Sequence, residues 1–127
     1  MVRGIRGAIT VKKNEEKEII LSTERLLMEV VKNNNIDPTM VAHILMTVTE
    51  DLNATFPAKA LRSFNDWKYV PVICSQEIPV PNSLPMCIRV MLTVNTEVPQ
   101  ENIKHIYLEE AVSLRPDLRL TERHQEV

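Results

Sequence analysis

The chain predicts an α+β fold: five strands and one long helix forming a sheet-and-helix layer, with one further short helix. Three observations predict it. Apolar residues recur at helical spacing over one long segment, Ile19 to Val31. Short apolar runs of strand length, bounded by proline, asparagine and charged residues, fill most of the remainder. Strands such as VAHILMTVT (41–49) and CIRVMLTV (87–94) are apolar at both parities, which implies cover on both sheet faces. One helix covers one face of five strands, so patterning alone predicts an oligomer in which a second subunit meets the other face.

Residues 2–11 read as the first strand, with Ile5, Ile9 and Val11 at one parity and Arg6, Ala8 and Thr10 at the other. Asn14 is the expected helix N-cap, followed by Glu15, Glu16 and Glu18 where the helix dipole favours acids. Ile19, Thr23, Leu26, Leu27, Val30 and Val31 form the buried stripe, and Asn33–Asn35 end the helix. Asp37-Pro38 begins a short turn. The second strand, Val41–Thr49, places Ala42, Ile44, Met46 and Val48 on one face. FPAKALR (56–62) reads as a short helix with Pro57 in its first turn. Tyr69–Glu77 is the third strand, and Pro71 assigns it to an edge or a bulge. A stiff proline loop (79–85) leads to the fourth strand, Met86–Asn95. His105–Leu108 is the fifth, Ala111–Leu114 a further extended piece closed by Pro116, and the residues after Leu118 are mostly polar.

Composition excludes several functions. The 127 residues suit one domain. Fifteen Lys and Arg against seventeen Asp and Glu give a net charge of -2, the wrong sign for a general nucleic-acid binder. The two glycines, Gly4 and Gly7, rule out a glycine-rich phosphate loop. No apolar run approaches the roughly 20 residues of a membrane span. The N-terminus lacks the apolar core of a signal peptide, so a cytoplasmic location is expected, with Cys74 and Cys87 as free thiols.

The informative residues break the apolar pattern. Arg89 is a permanent cation in the middle of the fourth strand. It either reaches solvent or, if buried, requires an anionic partner. Arg6 is the same exception in the first strand. Glu77, at the end of the third, is either a surface carboxylate or the partner of Arg89. Lys59 and Arg62 lie three apart on the short helix and share a face. With Arg6, Arg89 and Arg115 they form either a solvated basic surface or a pocket for a small dianion. Tyr107 fits a core position with its hydroxyl at a pocket rim. His43, His105 and His124 show no metal-ligand spacing, so no metal is expected. These residues alone fit an enzyme acting on a dianion, an oligomeric enzyme acting on enamines or imines, or a non-catalytic metabolite-binding oligomer.

The segments RGIRGAITV (3–11), FPAKALR (56–62), VPVICSQEIPVP (70–81), CIRVMLTVNTEVPQ (87–100) and HIYLEEAVSLRPDL (105–118) decide among these. Their order and spacing resemble the small monofunctional chorismate mutases of the trimeric pseudo-α/β-barrel class. The resemblance spans residues 2–118 and implies one domain over 1–118, with 119–127 a polar tail outside it. It implies a five-stranded mixed sheet on one long helix, a homotrimer, and active sites at subunit interfaces. Arg6, Cys74, Glu77, Arg89 and Tyr107 would form one side of each site. Phe56, Ala58, Lys59 and Arg62 would come from the neighbouring subunit, with Leu114 and Arg115 at the mouth. Ile73 stands where the family can carry a threonine, which removes a hydroxyl contact.

The implied reaction is the rearrangement of chorismate to prephenate in aromatic amino acid biosynthesis. It is unimolecular and implies no cofactor, metal, nucleic acid or membrane. Arg89 would donate to the ether oxygen, and Glu77 would favour the positive charge that develops on the ring. Arg6 and Tyr107 would hold the side-chain carboxylate, while Arg62, Lys59 and Arg115 would attract the dianion. Phe56 and Leu114 would supply apolar walls. Cys74 has the opposite strand parity to Glu77 and would act through backbone or irregular geometry.

Overall fold

The computed structural model describes residues 1–114; Arg115, the domain limit at 118 and the tail beyond it lie outside the described residues. The strands are β1 (Val2–Thr10), β2 (Val41–Val48), β3 (Val72–Gln76), β4 (Cys87–Asn95) and β5 (Ile106–Leu108), and the long helix is α1 (Glu16–Asn34). They form one sheet in the order β3-β2-β4-β1-β5. β4 pairs antiparallel with β1 and β2, while β1–β5 and β2–β3 are parallel, so the sheet is mixed. β3 is an edge strand, as Pro71 requires. The proline precedes the strand and gives only its carbonyl, accepting from the Ile44 N–H at 2.9 Å.

α1 buries Ile19, Thr23, Leu26, Leu27 and Val30 against one sheet face. Ile5, Ile9, Ile44, Met46, Ile88 and Leu92 meet them, each almost wholly shielded from solvent. The buried Thr23 hydroxyl is satisfied by donating to the Ile19 carbonyl at 2.7 Å. The helix approaches β1 closely at Gly7. A Cβ there would sit 3.0 Å from Leu26 Cδ1 and 3.1 Å from Val30 Cγ2. The helix ends at Asn35, in the left-handed conformation (φ 50°), whose N–H returns to the Val31 carbonyl.

Three local expectations are corrected. Glu15, not Asn14, holds the N-cap position, and it makes no side-chain cap bond. Asn14 is drawn away by better donors. Its Oδ1 accepts from the backbone of Asn53 and Ala54 at 3.1 and 3.0 Å, and its Nδ2 donates to Asn53 at 2.7 Å. In β2 a bulge shifts the parity. Val41 faces Val94 and His43 faces Thr93, so Ala42 is the extra, exposed residue and Val41 takes the buried place. The expected short helix is present over Pro57–Ser63 as a 3-10 helix with Pro57 at its start. Residues 111–114 are not extended: Glu109 adopts φ 55°, ends β5, and starts a 3-10 segment over Glu109–Ser113. Arg25 pairs with Glu109 at 2.6 Å, and the Thr10 hydroxyl accepts from the Glu110 N–H at 3.0 Å. The turn drives Ala111 onto the far sheet face, where it forms a small second core with Ala8 and Cys87. No helix among the described residues is long and apolar enough to cross a membrane.

Candidate active site

The face of the sheet away from α1 carries the exceptions noted in the sequence. Register brings them together. One row of neighbours crosses all five strands: Ser75, Thr47, Arg89, Ala8, Tyr107. The row beside it runs Ile73, Leu45, Met91, Arg6. Arg89 therefore stands at the centre of the sheet, with Arg6 and Tyr107 two strands or fewer away. Small Ala8 leaves space between them. Arg6, Thr47, Arg89, Met91, Tyr107 and Leu114 line a cavity of about 270 Å³ above this region. Leu114 reaches it because the 3-10 segment folds over the far face.

Glu77 lies one residue beyond β3 and is fixed by its N–H, which donates to the Val48 carbonyl at 2.8 Å. Its Oε2 sits 3.4 Å from Arg89 Nε, with the two side chains 23% and 45% exposed. The Thr47 hydroxyl donates to the same carboxylate oxygen. The pair is thus oriented by a third residue and still reachable by a ligand. Arg6 is partly buried, and its backbone N–H donates to His105 Nδ1 at 3.0 Å just where the β1–β5 ladder stops. The buried Cys87 thiol beside Arg89 is pushed up to about 11 by burial, which the guanidinium offsets only in part. It is a neutral thiol at physiological pH and unsuited to nucleophilic work.

A second hollow, about 520 Å³, lies at the β3 edge and is lined by Phe56, Pro57, Lys59, Cys74 and Ser75 among others. Phe56 is 67% exposed there. Lys59 Nζ pairs with Glu16 Oε2 at 2.7 Å, and Thr55 donates to the same oxygen at 2.9 Å. The Lys59 hydrogen bond is the main cause holding the Glu16 carboxyl below its usual range. Ala58 packs on the main core. Arg62 is exposed and lines a separate groove of about 420 Å³ with Leu61, Phe64, Trp67 and Val72.

Most of the sequence-predicted residues fall into two groups within one chain, with Ala58 on the core and Arg62 on the separate groove. Arg6, Glu77, Arg89, Tyr107 and Leu114 converge, and Phe56, Lys59 and Cys74 converge elsewhere. Cys74 shares its row with Met46, Val90 and Gly7, on the opposite side of the sheet from Arg89. Its company is the Phe56 group rather than the Arg89 group. Thr47, His105 and Glu16 were not singled out by sequence reasoning. A strand register that seats Thr47 beside Arg89 is the signal that finds it, and that signal is non-local. Among the described residues no group of three His, Cys, Asp or Glu side chains is arranged to hold a metal ion.

Comparison with known proteins gives the family. A family model described as chorismate mutase type I matches residues 2–118. The chain belongs to that family. It is 52% identical over 121 residues to the chorismate mutase AroH of Bacillus subtilis, covering 95% of each chain. It is 47% identical over 119 residues to the AroH of Thermus thermophilus, covering 93% of this chain and 97% of the other. The solved structure of a chorismate mutase from Clostridium thermocellum superposes with a TM-score of 0.84 at 44% identity, covering 87% of this chain and 97% of that one. As a type I chorismate mutase the chain is an isomerase of aromatic amino acid biosynthesis.

Proposed function

We propose that the chain acts as a cytoplasmic homotrimer, with one catalytic domain ending near residue 118, and converts chorismate to prephenate in clefts between adjacent subunits. The observation that carries the reading is Arg89, paired with Glu77 and lining a cavity that also presents Arg6 and Tyr107. One C–O bond breaks as one C–C bond forms, and nothing enters or leaves. The protein has two tasks: to hold the enolpyruvyl arm over the ring, and to stabilise charge that separates as the C–O bond lengthens.

Arg89 donates to the ether oxygen, where negative charge grows. Its planar fork meets an oxygen at fixed angles that an ammonium would not reproduce. Glu77, oriented by Thr47, favours the positive charge on the ring and accepts from the ring hydroxyl. Arg6 and Tyr107 hold the side-chain carboxylate, and Leu114 supplies an apolar wall. Phe56, Lys59 and Cys74 of a neighbouring copy close the opposite side, with Ala58 behind them and Arg62 and Arg115 adding positive field for a dianion. Support for the shared cleft comes from the far sheet face, where Ile73 is 67% exposed and Leu45 and Met91 are 39% and 36% exposed around the cavity. Such a run of apolar side chains in water is the signature of a covered surface. The test is the loss of chorismate absorbance with purified protein in metal-free buffer. Turnover that is proportional to protein concentration supports the reading, and none overturns it.

A further inference from the structure

The polar cluster at the start of β4 lies outside both hollows described above. Met86, the residue before β4, is a non-glycine residue in the left-handed region, with φ 55°. For a side chain such as methionine this conformation is strained and persists only when its surroundings hold it. Two neighbouring segments do so. The Met86 carbonyl accepts from the Val11 N–H at 2.8 Å. The Met86 N–H, which the turn removes from any ladder, donates to both oxygens of Asp51, at 3.1 and 3.0 Å. Asp51 is fixed in turn by the Thr49 hydroxyl, which donates to its Oδ1 at 2.5 Å. The same Thr49 oxygen accepts from the Cys87 N–H at 2.9 Å, and the Thr49 N–H donates to the Cys87 carbonyl at 3.0 Å.

Asp51 and Thr49 therefore clamp Met86 and Cys87 on the side away from β1. Arg89 follows two residues after Cys87. The preceding loop, residues 77–85, contains Pro79, Pro81 and Pro85 and brings Glu77 at its other end. Strand β4 thus leaves a stiff loop through one strained residue and must present its third residue onward, Arg89, on the far face. The strain at Met86 is balanced by a charge-assisted bond to a carboxylate.

We propose that Asp51 is a positioning residue for Arg89, acting through the backbone of Met86 and the start of β4. The proposal rests on the reading of Arg89 as the donor to the breaking bond. Asp51 is not among the residues that line the cavity around Arg89; with Glu77 it lines a separate hollow of about 220 Å³. Its loss lets Met86 relax out of the left-handed region and turns the first residues of β4. An ångström of displacement at an electrostatic donor costs turnover while leaving ground-state binding to Arg6 and Tyr107 largely intact.

The experiment measures kcat, KM and Tm for four proteins. Asp51→Ala should lower kcat by about 10-fold or more with KM within about twofold, below its own Tm. Asp51→Asn keeps an acceptor for the Met86 N–H and should hold kcat within about threefold of the starting protein. Met86→Gly adopts the left-handed turn freely, so adding it to Asp51→Ala should restore most of the lost kcat even though Tm falls further. Should Asp51→Ala not fold, Thr49→Val, which removes the hydroxyl and keeps the shape, should lower kcat in the same direction. A folded Asp51→Ala protein with unchanged kcat, or a glycine double variant no faster than the single one, overturns the proposal. Turnover by the unmodified protein separates the two claims. If it leaves chorismate unchanged, the functional reading falls, and the positioning claim is judged by the NMR signal of the Arg89 Nε–H, assigned by its absence in Arg89→Lys. That signal should shift in Asp51→Ala, return in the glycine double variant, and an unchanged signal overturns the claim.

Discussion

The two faces of the sheet are built from the same strands and behave as different materials. Under α1 the sheet positions are filled by apolar side chains, from Ile5 and Ile9 through Met46 to Leu92, except at Gly7, where the helix comes closest. On the other face the same strands carry Arg6, Thr47 and Arg89, two half-exposed apolar chains and a cavity. A strand alternates its side chains, so every step of one residue moves from a position that stabilises to a position that can act. The lesson is that stability and chemistry are interleaved along β4: Ile88, Val90 and Leu92 hold the fold, and Arg89 between them has to work from a frame it does not build.

The sharpest way to break this contrast is to truncate one residue on each face of β4. Arg89→Ala should reduce turnover by roughly 100- to 1000-fold, about 3–4 kcal/mol, with Tm near that of the starting protein. Leu92→Ala should do the reverse. It removes a fully buried side chain and should cost about 2–5 kcal/mol in urea unfolding, while the folded fraction keeps its kcat. If both variants lose stability and activity together, the two faces are not separable.

A second test asks whether the open face is shared between copies. Arg89→Ala and Lys59→Ala proteins are each expected to be weak. After subunit exchange, a random 1:1 mixture should regain activity in about a quarter of its sites, those assembled with one defect on neither side, by the closed symmetry of a ring. No recovery after confirmed exchange argues for sites built within one chain.

The covered face offers a smaller test at its tightest point. Gly7→Ala places a methyl within 3.0 Å of Leu26 and 3.1 Å of Val30. The helix must retreat, at a cost of about 1–3 kcal/mol in thermal or urea unfolding. Unchanged stability would mean that the helix rides further from β1.

The smallest effect probes the open face where it is dry. Cys87 is raised from 9.0 to about 11 by burial. The folded chain holds that proton more tightly than the unfolded chain, so the contribution is complete below pH 9 and is lost as pH rises towards 11. Stability should therefore fall by about 2 kcal/mol or less across that window. Cys87→Ala should flatten the alkaline slope, and an unaltered slope would assign it to other groups. A thiol reagent at neutral pH should label the partly buried Cys74 well before Cys87.

Much of this was legible in the sequence. The helix stripe, the five strands, the edge position of β3 and the presence of misplaced cations all follow from period and from proline chemistry. Where reading failed, a distant group had won. Asn14 abandoned the helix end for the backbone at 53–54, and one inserted residue at Ala42 reversed the face of the start of β2. Cys74 could be separated from Glu77 by parity, yet its place beside Phe56 and Lys59 needed the packing of the 3-10 segment on the sheet edge.

Sequence by itself determined which residues are apolar, which are charged among them, and how each short segment folds, because those preferences act between near neighbours in the chain. Tertiary structure alone decided that Arg89 stands between Thr47 and Ala8 in a row ending at Tyr107, with Glu77 brought back to it by a proline loop. Register joins residues that are 28 to 99 positions apart, and no local preference encodes it; it is set by burying one complete face at once.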